Sequence, residues 1–249
     1  MSAPAAQPDE LGTITTALGL ELRPAQHQAL LRYLDLLQRW NATYNLTAVR
    51  ERSAMLHQHL ADCLAVVRPL AQRLTTGRAL DVGSGGGLPG VVLAAALPAI
   101  DVTCIDTVAK KAAFIRQVAG TLALPNLHAV HDRVESLNSP PFDLIVCRAF
   151  ASMARFVAAT QHLLAPGGVW LAMKGRHPTD EIAELSAEIE VFHVEPLSVP
   201  GLDAERCLVW MRPRTSVAIT APTASQRTAA PPSGPMPTQA AAPPSAPAE

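Results

Sequence analysis

Residues Ala79–Gly90 read ALDVGSGGGLPG and place five glycines within twelve residues, directly after an apolar run. This order is typical of a β-strand that is followed by a tight turn and the start of a helix. In an open α/β sheet, ligands bind where the first such turn meets the helix N-terminus. The stretch therefore predicts an α/β fold and the place of its ligand. That ligand could be a nucleotide held by its phosphates, a dinucleotide held by its pyrophosphate, or a molecule without phosphate.

The rest of the chain continues the alternation that this stretch begins. Short apolar runs recur along the sequence, and a helix-length segment separates the first five or six of them. Near-continuous apolar strands separated by helices indicate a parallel sheet that is covered on both faces. The last two runs lack an intervening helix, so we expect them to form a hairpin at the sheet edge. The seven predicted strands cover residues 78–83, 101–106, 127–131, 142–147, 168–173, about 190–195 and 206–211.

Helical periodicity dominates the residues before the sheet. Apolar residues recur at helical spacing from Pro24 to Trp40, a second amphipathic stretch runs from about Arg52 to Leu70, and a loop is expected between them. From about Thr215 the chain is rich in Pro and Ala and has too few large apolar residues to offset its chain entropy. We therefore expect a flexible leader at 1–20, a helical extension at 21–76, the α/β domain at 77–213 and a disordered Pro/Ala-rich tail at 214–249.

Composition limits the partners and the compartment. The 249 residues carry a formal net charge of −1, so any nucleic-acid partner must meet a local basic patch rather than a global positive field. The four cysteines are far apart, with no CxxC pair and no His at zinc-ligand spacing, which predicts reduced core thiols and no metal. The sequence shows neither a secretion signal nor an apolar run of the roughly 18 residues that span a membrane. We expect a cytoplasmic protein.

Residues around the glycines narrow the choice of ligand. No Gly-Lys-Ser/Thr follows them, which excludes a P-loop. Gly85–Gly90 matches G-x-G-x-x-G, and Asp106 follows at the distance of a ribose-binding acid, so a dinucleotide stays open. Asp81 should face the ligand, where its charge would repel a pyrophosphate and favour a cationic sulfonium. The pattern D-x-G-x-G-x-G from Asp81, and the Pro-Gly-Gly turn within Leu164–Val169, are typical of S-adenosylmethionine-dependent methyltransferases. Asp106 could accept both ribose hydroxyls, cap the following helix, or do both.

Several segments together resemble one family. The chain is similar over roughly residues 25–212 to the bacterial small-subunit ribosomal RNA guanine-N7 methyltransferases, the RsmG or glucose-inhibited division protein B (GidB) family. The similar segments are WNATYNLTAVR, HLADC, DVGSGGGLPG, DRVE, CRAFAS, MKG and DAERCLV. The resemblance implies a Rossmann-like, seven-stranded class I S-adenosylmethionine-dependent methyltransferase fold with an N-terminal helical extension. It also implies an enzyme that methylates N7 of one guanine, position 527 in the 530 loop of 16S ribosomal RNA.

The same resemblance implies site residues. The cofactor S-adenosylmethionine would contact Gly83, Gly85, Leu88, Asp106, Val134, Glu135 and Arg148. The basic family positions, expected to serve RNA binding or site architecture, are Lys110, Arg133, Lys174 and Arg206. The chain departs from the family at three positions: Gly86 stands where alanine or proline is more common, Ala204 replaces glycine, and Cys63 replaces serine. None of these changes removes a group that is assigned to binding.

The implied reaction needs little acid–base chemistry. N7 of guanine carries an in-plane lone pair and can attack a methyl group without losing a proton first. We therefore assign no catalytic acid or base. Arg148 is the one candidate for a role in the reacting site, and its architectural alternative is pairing with Asp143 or Glu135. The resemblance implies 16S ribosomal RNA, the small subunit or its assembly intermediate as partner, bound by a monomer without a membrane.

Charge and function leave further expectations. Because RNA carries one charge per phosphate, we expect Arg and Lys from the ends of the third to seventh strands and from the helical extension to gather on the cofactor face, with acids elsewhere. Three other functions stay open: methylation of another substrate, a nicotinamide-dependent oxidoreductase, and a non-catalytic RNA chaperone that binds S-adenosylmethionine. Only the family-specific motifs argue against the first. Stabilisation of the fold by S-adenosylmethionine but not by a nicotinamide cofactor would exclude the oxidoreductase. Turnover of S-adenosylmethionine would exclude the non-catalytic chaperone.

Overall fold

The computed structural model describes residues 9–150 and 152–214. Its α-helices are Glu10–Ala17 (α1), Pro24–Tyr44 (α2), Arg52–Met55 (α3), Asp62–Leu64 (α4), Val67–Ala71 (α5), Gly90–Ala96 (α6), Ala109–Thr121 (α7), Met153–Thr160 (α8) and Thr179–Ala183 (α9). A π-helical segment, Leu56–Ala61, joins α3 to α4, and 3₁₀ turns lie at Val134–Ser136 and Gln161–Leu163. The strands are Gly77–Val82 (β1), Ile100–Asp106 (β2), Leu127–His131 (β3), Phe142–Arg148 (β4), Leu164–Lys174 (β5), Ile189–Leu197 (β6) and Arg206–Pro213 (β7).

The described strands form one seven-stranded sheet with the order β3-β2-β1-β4-β5-β7-β6. Strands β1 to β5 are parallel, and β7 runs antiparallel to both β5 and β6, so the predicted edge hairpin is confirmed. The strand order reverses direction at β1, whose neighbours are β2 and β4. Ligand sites of open α/β sheets lie at such a switch point, beyond the carboxyl ends of the strands.

Alternate residues of each strand serve two separate cores. In β4, Leu144 and Val146 face the core that contains α2, the π-helical segment, α6 and α7, whereas Ile145 and Cys147 face the core under α8. This alternation follows from the two-residue period of a strand. The helical front of the chain, which consists of α1 to α5 and the π-helical segment, therefore packs on the same face of the sheet as α6 and α7 and shares their core.

The front of the chain differs from the sequence predictions in two places. Residues 1–20 were expected to be a flexible leader, but α1 forms at Glu10–Ala17 because Leu11 and Ile14 are buried in the core and Asp9 caps the helix by accepting a hydrogen bond from Gly12 N. The expected loop after Trp40 begins only at Asn45, whose left-handed conformation (φ 50°) ends α2. Residues 1–8 lie outside the described residues.

Two other expectations concern the later part of the chain. The Pro-Gly-Gly segment was expected as a turn before the fifth strand, but it lies inside β5, where the pairing register with β4 shifts between Phe142 and Leu144. Gly167 (φ 79°) provides the left-handed residue that such a bulge uses. The predicted tail lies outside the described residues from residue 215 onwards. No helix in the described part of the chain combines the length and apolar character that crossing a membrane requires.

Candidate functional site

The glycine turn connects the end of β1 to α6 at the carboxyl edge of the sheet. Gly83 N donates to the carbonyl oxygen of Ile105 at 2.9 Å, which ties the turn to the end of β2. Gly83 adopts a left-handed conformation (φ 67°), and a Cβ atom built there would meet nothing within 4 Å. This glycine therefore combines a backbone that other residues rarely adopt with an open flank where a ligand can approach the main chain closely.

Asp81 lies beneath the turn rather than in the ligand site. Its side chain is fully buried, and its Oδ2 accepts a hydrogen bond from Gly90 N at 2.8 Å, which fixes the start of α6. Burial raises the pKa of Asp81 to about 7, although the Gly90 N–H opposes that rise. The prediction that this carboxylate faces the ligand is wrong, because the acid turns inward to hold the turn. Its charge therefore does not by itself decide between a pyrophosphate and a sulfonium.

Asp106 closes the other side of the turn. Its Oδ2 accepts from Gly85 N at 3.0 Å, and its Oδ1 accepts from Val108 N at 2.9 Å, so the carboxylate orders the entry to α7. Lys111 Nζ lies 3.6 Å from Oδ2. A carboxylate offers about four acceptor positions, so two backbone donors leave capacity for ligand hydroxyls.

A cavity of about 300 Å³ opens beside these groups at the ends of β1, β2 and β3. Five of the sequence-predicted site residues line it: Gly83, Asp106, Arg133, Val134 and Glu135. Gly85 and Leu88 do not; Gly85 N is engaged by Asp106, and Leu88 is 5% exposed and packs in the core. Sequence reasoning missed Lys111 and Phe150, which also line the cavity.

A second cavity, of about 490 Å³, lies at the ends of β4 and β5. Arg148, Lys174 and Arg206 line it together with three residues of the helical front: Gln58, His59 and Asp62. The end of β4 separates the two cavities, since Arg148 lines the second one and Phe150 lines the first. The end of β4 and the residues after it therefore contribute to both cavities.

Asp62 holds two of these arginines. Its Oδ1 accepts from Arg206 Nε at 2.8 Å and its Oδ2 from Arg148 Nη1 at 3.3 Å, while the carboxylate side chain is only 4% exposed. The expected partners of Arg148, Asp143 and Glu135, are both wrong. Asp143 accepts from the backbone N of Arg78, and Glu135 pairs loosely with Arg133 at 3.4 Å.

His59 extends this network into the helical front. Its Nε2 lies 2.6 Å from Thr47 Oγ1, and its Nδ1 lies 3.0 Å from the carbonyl oxygen of Gln58. Burial, and next the charge of Arg148, lower the pKa of His59. The sequence segments HLADC and YNLT contain His59, Asp62 and Thr47, but only their proximity in the fold reveals that they support Arg148.

The predicted basic positions share one edge of the sheet. Arg133 follows the end of β3 and Lys174 ends β5, while Arg206 begins the antiparallel β7, opposite the end of β5. The three residues therefore lie at the same edge of the sheet, and their role in RNA binding stays a prediction. The expectation that acids lie elsewhere is wrong, because Asp62, Glu135 and Glu181 are found at this edge too. Lys174 is held by Glu181, with Nζ 2.7 and 2.9 Å from the carboxylate oxygens. Lys110 Nζ lies 5.4 Å from the centre of the Tyr44 ring.

The four cysteines are core residues, as the sequence predicts. All four cysteines are free and buried, and burial raises the pKa of Cys63, Cys104, Cys147 and Cys207. Within residues 9–150 and 152–214, no group of three or more His, Cys, Asp or Glu side chains is arranged to hold a metal ion.

Comparison with known proteins identifies the family. The family described as rRNA small subunit methyltransferase G matches residues 26–209. A protein of Acidovorax sp. (strain JS42) named ribosomal RNA small subunit methyltransferase G is 59% identical over 207 residues, which cover 79% of this chain and 91% of the relative. The protein of the same name from Leptothrix cholodnii is 61% identical over 201 residues, which cover 80% and 92% of the two chains.

Solved structures support the fold. The crystal structure of the glycopeptide N-methyltransferase MtfA matches with a TM-score of 0.53 and 14% identity, over 62% of this chain and 90% of that one. The sheet order and this likeness confirm the predicted Rossmann-like class I methyltransferase fold. The matched residues and the two close relatives confirm the resemblance seen in the sequence, and the chain belongs to the GidB family, the small-subunit ribosomal RNA methyltransferase G proteins.

Proposed function

We propose that this chain transfers the methyl group of S-adenosylmethionine to N7 of a guanine, position 527 in the 530 loop, of 16S ribosomal RNA. Family membership supports the substrate class. The observation that carries the proposal is the pair of cavities at the carboxyl edge of the sheet. One lies beside the glycine turn, and the other is lined by Arg148, Lys174 and Arg206, so that the guanine would reach the methyl group at the end of β4, where Phe150 lines the first cavity and Arg148 the second.

The residues of the first cavity fit S-adenosylmethionine. Gly83 leaves an open flank for close approach to the main chain, and Asp106 keeps acceptor capacity for the ribose hydroxyls. Val134, 7% exposed, provides an apolar contact for the adenine. The cofactor supplies an electrophilic methyl group on a positively charged sulfur. We propose that the backbone and the acidic side chains of this cavity bind and orient the cofactor. Gly85 and Leu88 contribute to the shape of the glycine turn without lining the cavity.

The second cavity suits the acceptor. The lone pair of N7 must point at the methyl group, so a donor hydrogen-bonded to N7 would block the reaction. We propose that Arg148, Lys174 and Arg206 instead serve O6 and the phosphates, where arginine and lysine are typical partners. Alignment of the two reactants then supplies most of the acceleration, about 7–11 kcal/mol at best, and no general base is required.

The proposal also concerns the form of the substrate and the compartment in which the enzyme acts. Guanines in loops are open to recognition on their edges, which favours folded ribosomal RNA, the small subunit or an assembly intermediate as partner. We propose a cytoplasmic monomer. We also propose segment boundaries at residues 76 and 213, with a helical extension that shares its core with the sheet.

Two assays separate this function from its alternatives. Purified protein is incubated with labelled S-adenosylmethionine and with unmethylated small subunits, naked 16S RNA, or a protein and small-molecule pool. Label in the RNA supports the proposal, whereas label only in the pool supports another substrate, and none in any supports the chaperone. In parallel, S-adenosylmethionine but not a nicotinamide dinucleotide should raise the melting temperature, because only a ligand that binds the folded state stabilises it.

A further inference from the structure

The exposed ring of Tyr44 is an unusual feature of the surface. Among the described residues two large hydrophobic side chains are exposed, Tyr44 and Val108, each 43% accessible. The Tyr44 ring is anchored rather than loose, because its centre lies 5.0 Å from that of Trp40, which in turn lies 5.3 Å from the buried Phe114. An aromatic side chain supported from within and open to solvent outside is a platform for stacking.

Cations flank this platform. Lys110 Nζ lies over the Tyr44 ring, 5.4 Å from its centre, and no carboxylate in the described residues lies within 4.0 Å of that amine. Arg50 Nη2 donates to Oδ1 of Asn45, the residue after Tyr44, at 3.1 Å. The platform therefore combines an aromatic ring with one cation over it and a second cation held by the neighbouring residue, and proteins use aromatic and basic side chains together to bind single-stranded nucleic acid.

The platform also lies close to both cavities. Val108 lines the first cavity and stands two residues before Lys110 on the same chain segment. Helix α2, which ends at Tyr44, is tied to the glycine turn by Tyr33 Oη, which donates to the carbonyl oxygen of Gly86 at 2.7 Å. Thr47, three residues after Tyr44, contacts His59 at the second cavity. Tyr44 therefore stands three residues before a contact with the second cavity and beside Lys110, which is two residues from the lining of the first.

We infer that Tyr44, Lys110 and Arg50 form a stacking site for an unpaired RNA base that neighbours the target guanine. This inference rests on the proposed function and names a binding surface for the same substrate. The base stacks on the free face of Tyr44. The flexible side chain of Lys110 leaves the ring and pairs with a backbone phosphate, as Arg50 does. Stacking tolerates any base, so the site adds affinity and position rather than sequence selection.

The test compares Tyr44→Leu with Tyr44→Phe. Leucine keeps an apolar contact for Trp40 but removes the aromatic face, whereas phenylalanine keeps the face and loses only the hydroxyl. Filter binding to unmethylated 16S RNA is measured without turnover. We expect Tyr44→Leu to weaken binding about tenfold, within the range of one lost base–aromatic stack, and Tyr44→Phe to bind within twofold of wild type. Lys110→Gln should lower the salt dependence of binding by about one phosphate contact.

The control is Arg212→Gln, which removes a charge of an exposed pair with Glu190 at the opposite edge of the sheet and should leave RNA binding unchanged. Stabilisation by S-adenosylmethionine is measured for every variant and should match wild type, which shows that the fold and the first cavity are intact. Equal RNA affinity for Tyr44→Leu and wild type would overturn the inference, as would wild-type protein that binds neither the naked RNA nor unmethylated small subunits. Because binding needs no turnover, loss of methylation in wild type would reject the proposed function alone.

Discussion

Replacing Asp62 by asparagine tests whether one buried carboxylate holds the second cavity together. Asp62 is 4% exposed and accepts from both Arg148 and Arg206, whose side chains are 22% and 26% exposed. Removing one partner of a buried ion pair costs about 3–5 kcal/mol. Water can reach part of both arginines and asparagine still accepts a hydrogen bond, so we expect a smaller loss than this range, about 2–3 kcal/mol of unfolding free energy. For a domain of this size that corresponds to a melting temperature lower by about 5–10 °C.

The assay combines thermal unfolding with kinetics. Without the carboxylate the two guanidinium groups lose their fixed positions, and we expect kcat/KM for small subunits to fall about 10- to 100-fold. The matched control is Asp101→Asn, since Asp101 also faces two basic groups, Arg78 and His128, but is 43% exposed. The substitution at this exposed site should lower the free energy of unfolding by less than about 1 kcal/mol. If Asp62→Asn had the same melting temperature and the same kcat/KM as Asp101→Asn, the carboxylate of Asp62 would not organise the site.

Three further predictions concern the glycine turn, pH and salt. Gly90→Ala should destabilise the protein by about 1–3 kcal/mol in denaturant unfolding, because the added Cβ would collide with Cys104 Sγ in a filled core. Since burial raises the pKa of Asp81 from 3.8 to about 7, unfolding free energy should fall as pH rises from about 4 to about 7 and level off above, and Asp81→Asn should remove that slope in urea titrations. RNA binding should weaken linearly on a logarithmic plot against salt concentration.

Each of these predictions has its own check. Gly120→Ala is the control for Gly90→Ala, because a Cβ at Gly120 meets nothing within 4 Å and should leave the protein equally or more stable. Equal effects of the two substitutions would contradict the packing argument. If the fall in unfolding free energy with pH persisted in Asp81→Asn, another titrating group would be its cause. Salt-independent RNA binding would show that phosphates contribute little.

Periodicity and turn chemistry were enough to predict the sheet. The seven apolar runs, the edge hairpin and the glycine turn all appear where the sequence places them, because strand burial and left-handed glycines are local properties. Helix α1 was missed because its eight residues are stabilised mainly by burial of Leu11 and Ile14 against other helices. The β5 bulge was missed because Gly167 is compatible with a turn as well as with a bulge.

Only part of the candidate site could be predicted from the sequence. The position of Asp106 at a strand end predicted a cavity residue. The inward turn of Asp81 depends on contacts with Gly90 and Cys104, nine and 23 residues further along the chain, that the alternation of strand residues does not reveal. Asp62 was missed for a similar reason. Its partner Arg206 lies 144 residues away, and no local pattern marks a carboxylate that will be buried between two arginines.

The most direct test maps the methyl group itself. Unmethylated small subunits are incubated with the protein and S-adenosylmethionine, and the 16S RNA is then cleaved chemically at 7-methylguanosine and read at nucleotide resolution. We predict one new cleavage in the 530 loop, at position 527, that needs both protein and cofactor. A methyl group at another atom or another nucleotide, or none, would contradict the assignment of this chain as a guanine-N7 methyltransferase of the small subunit.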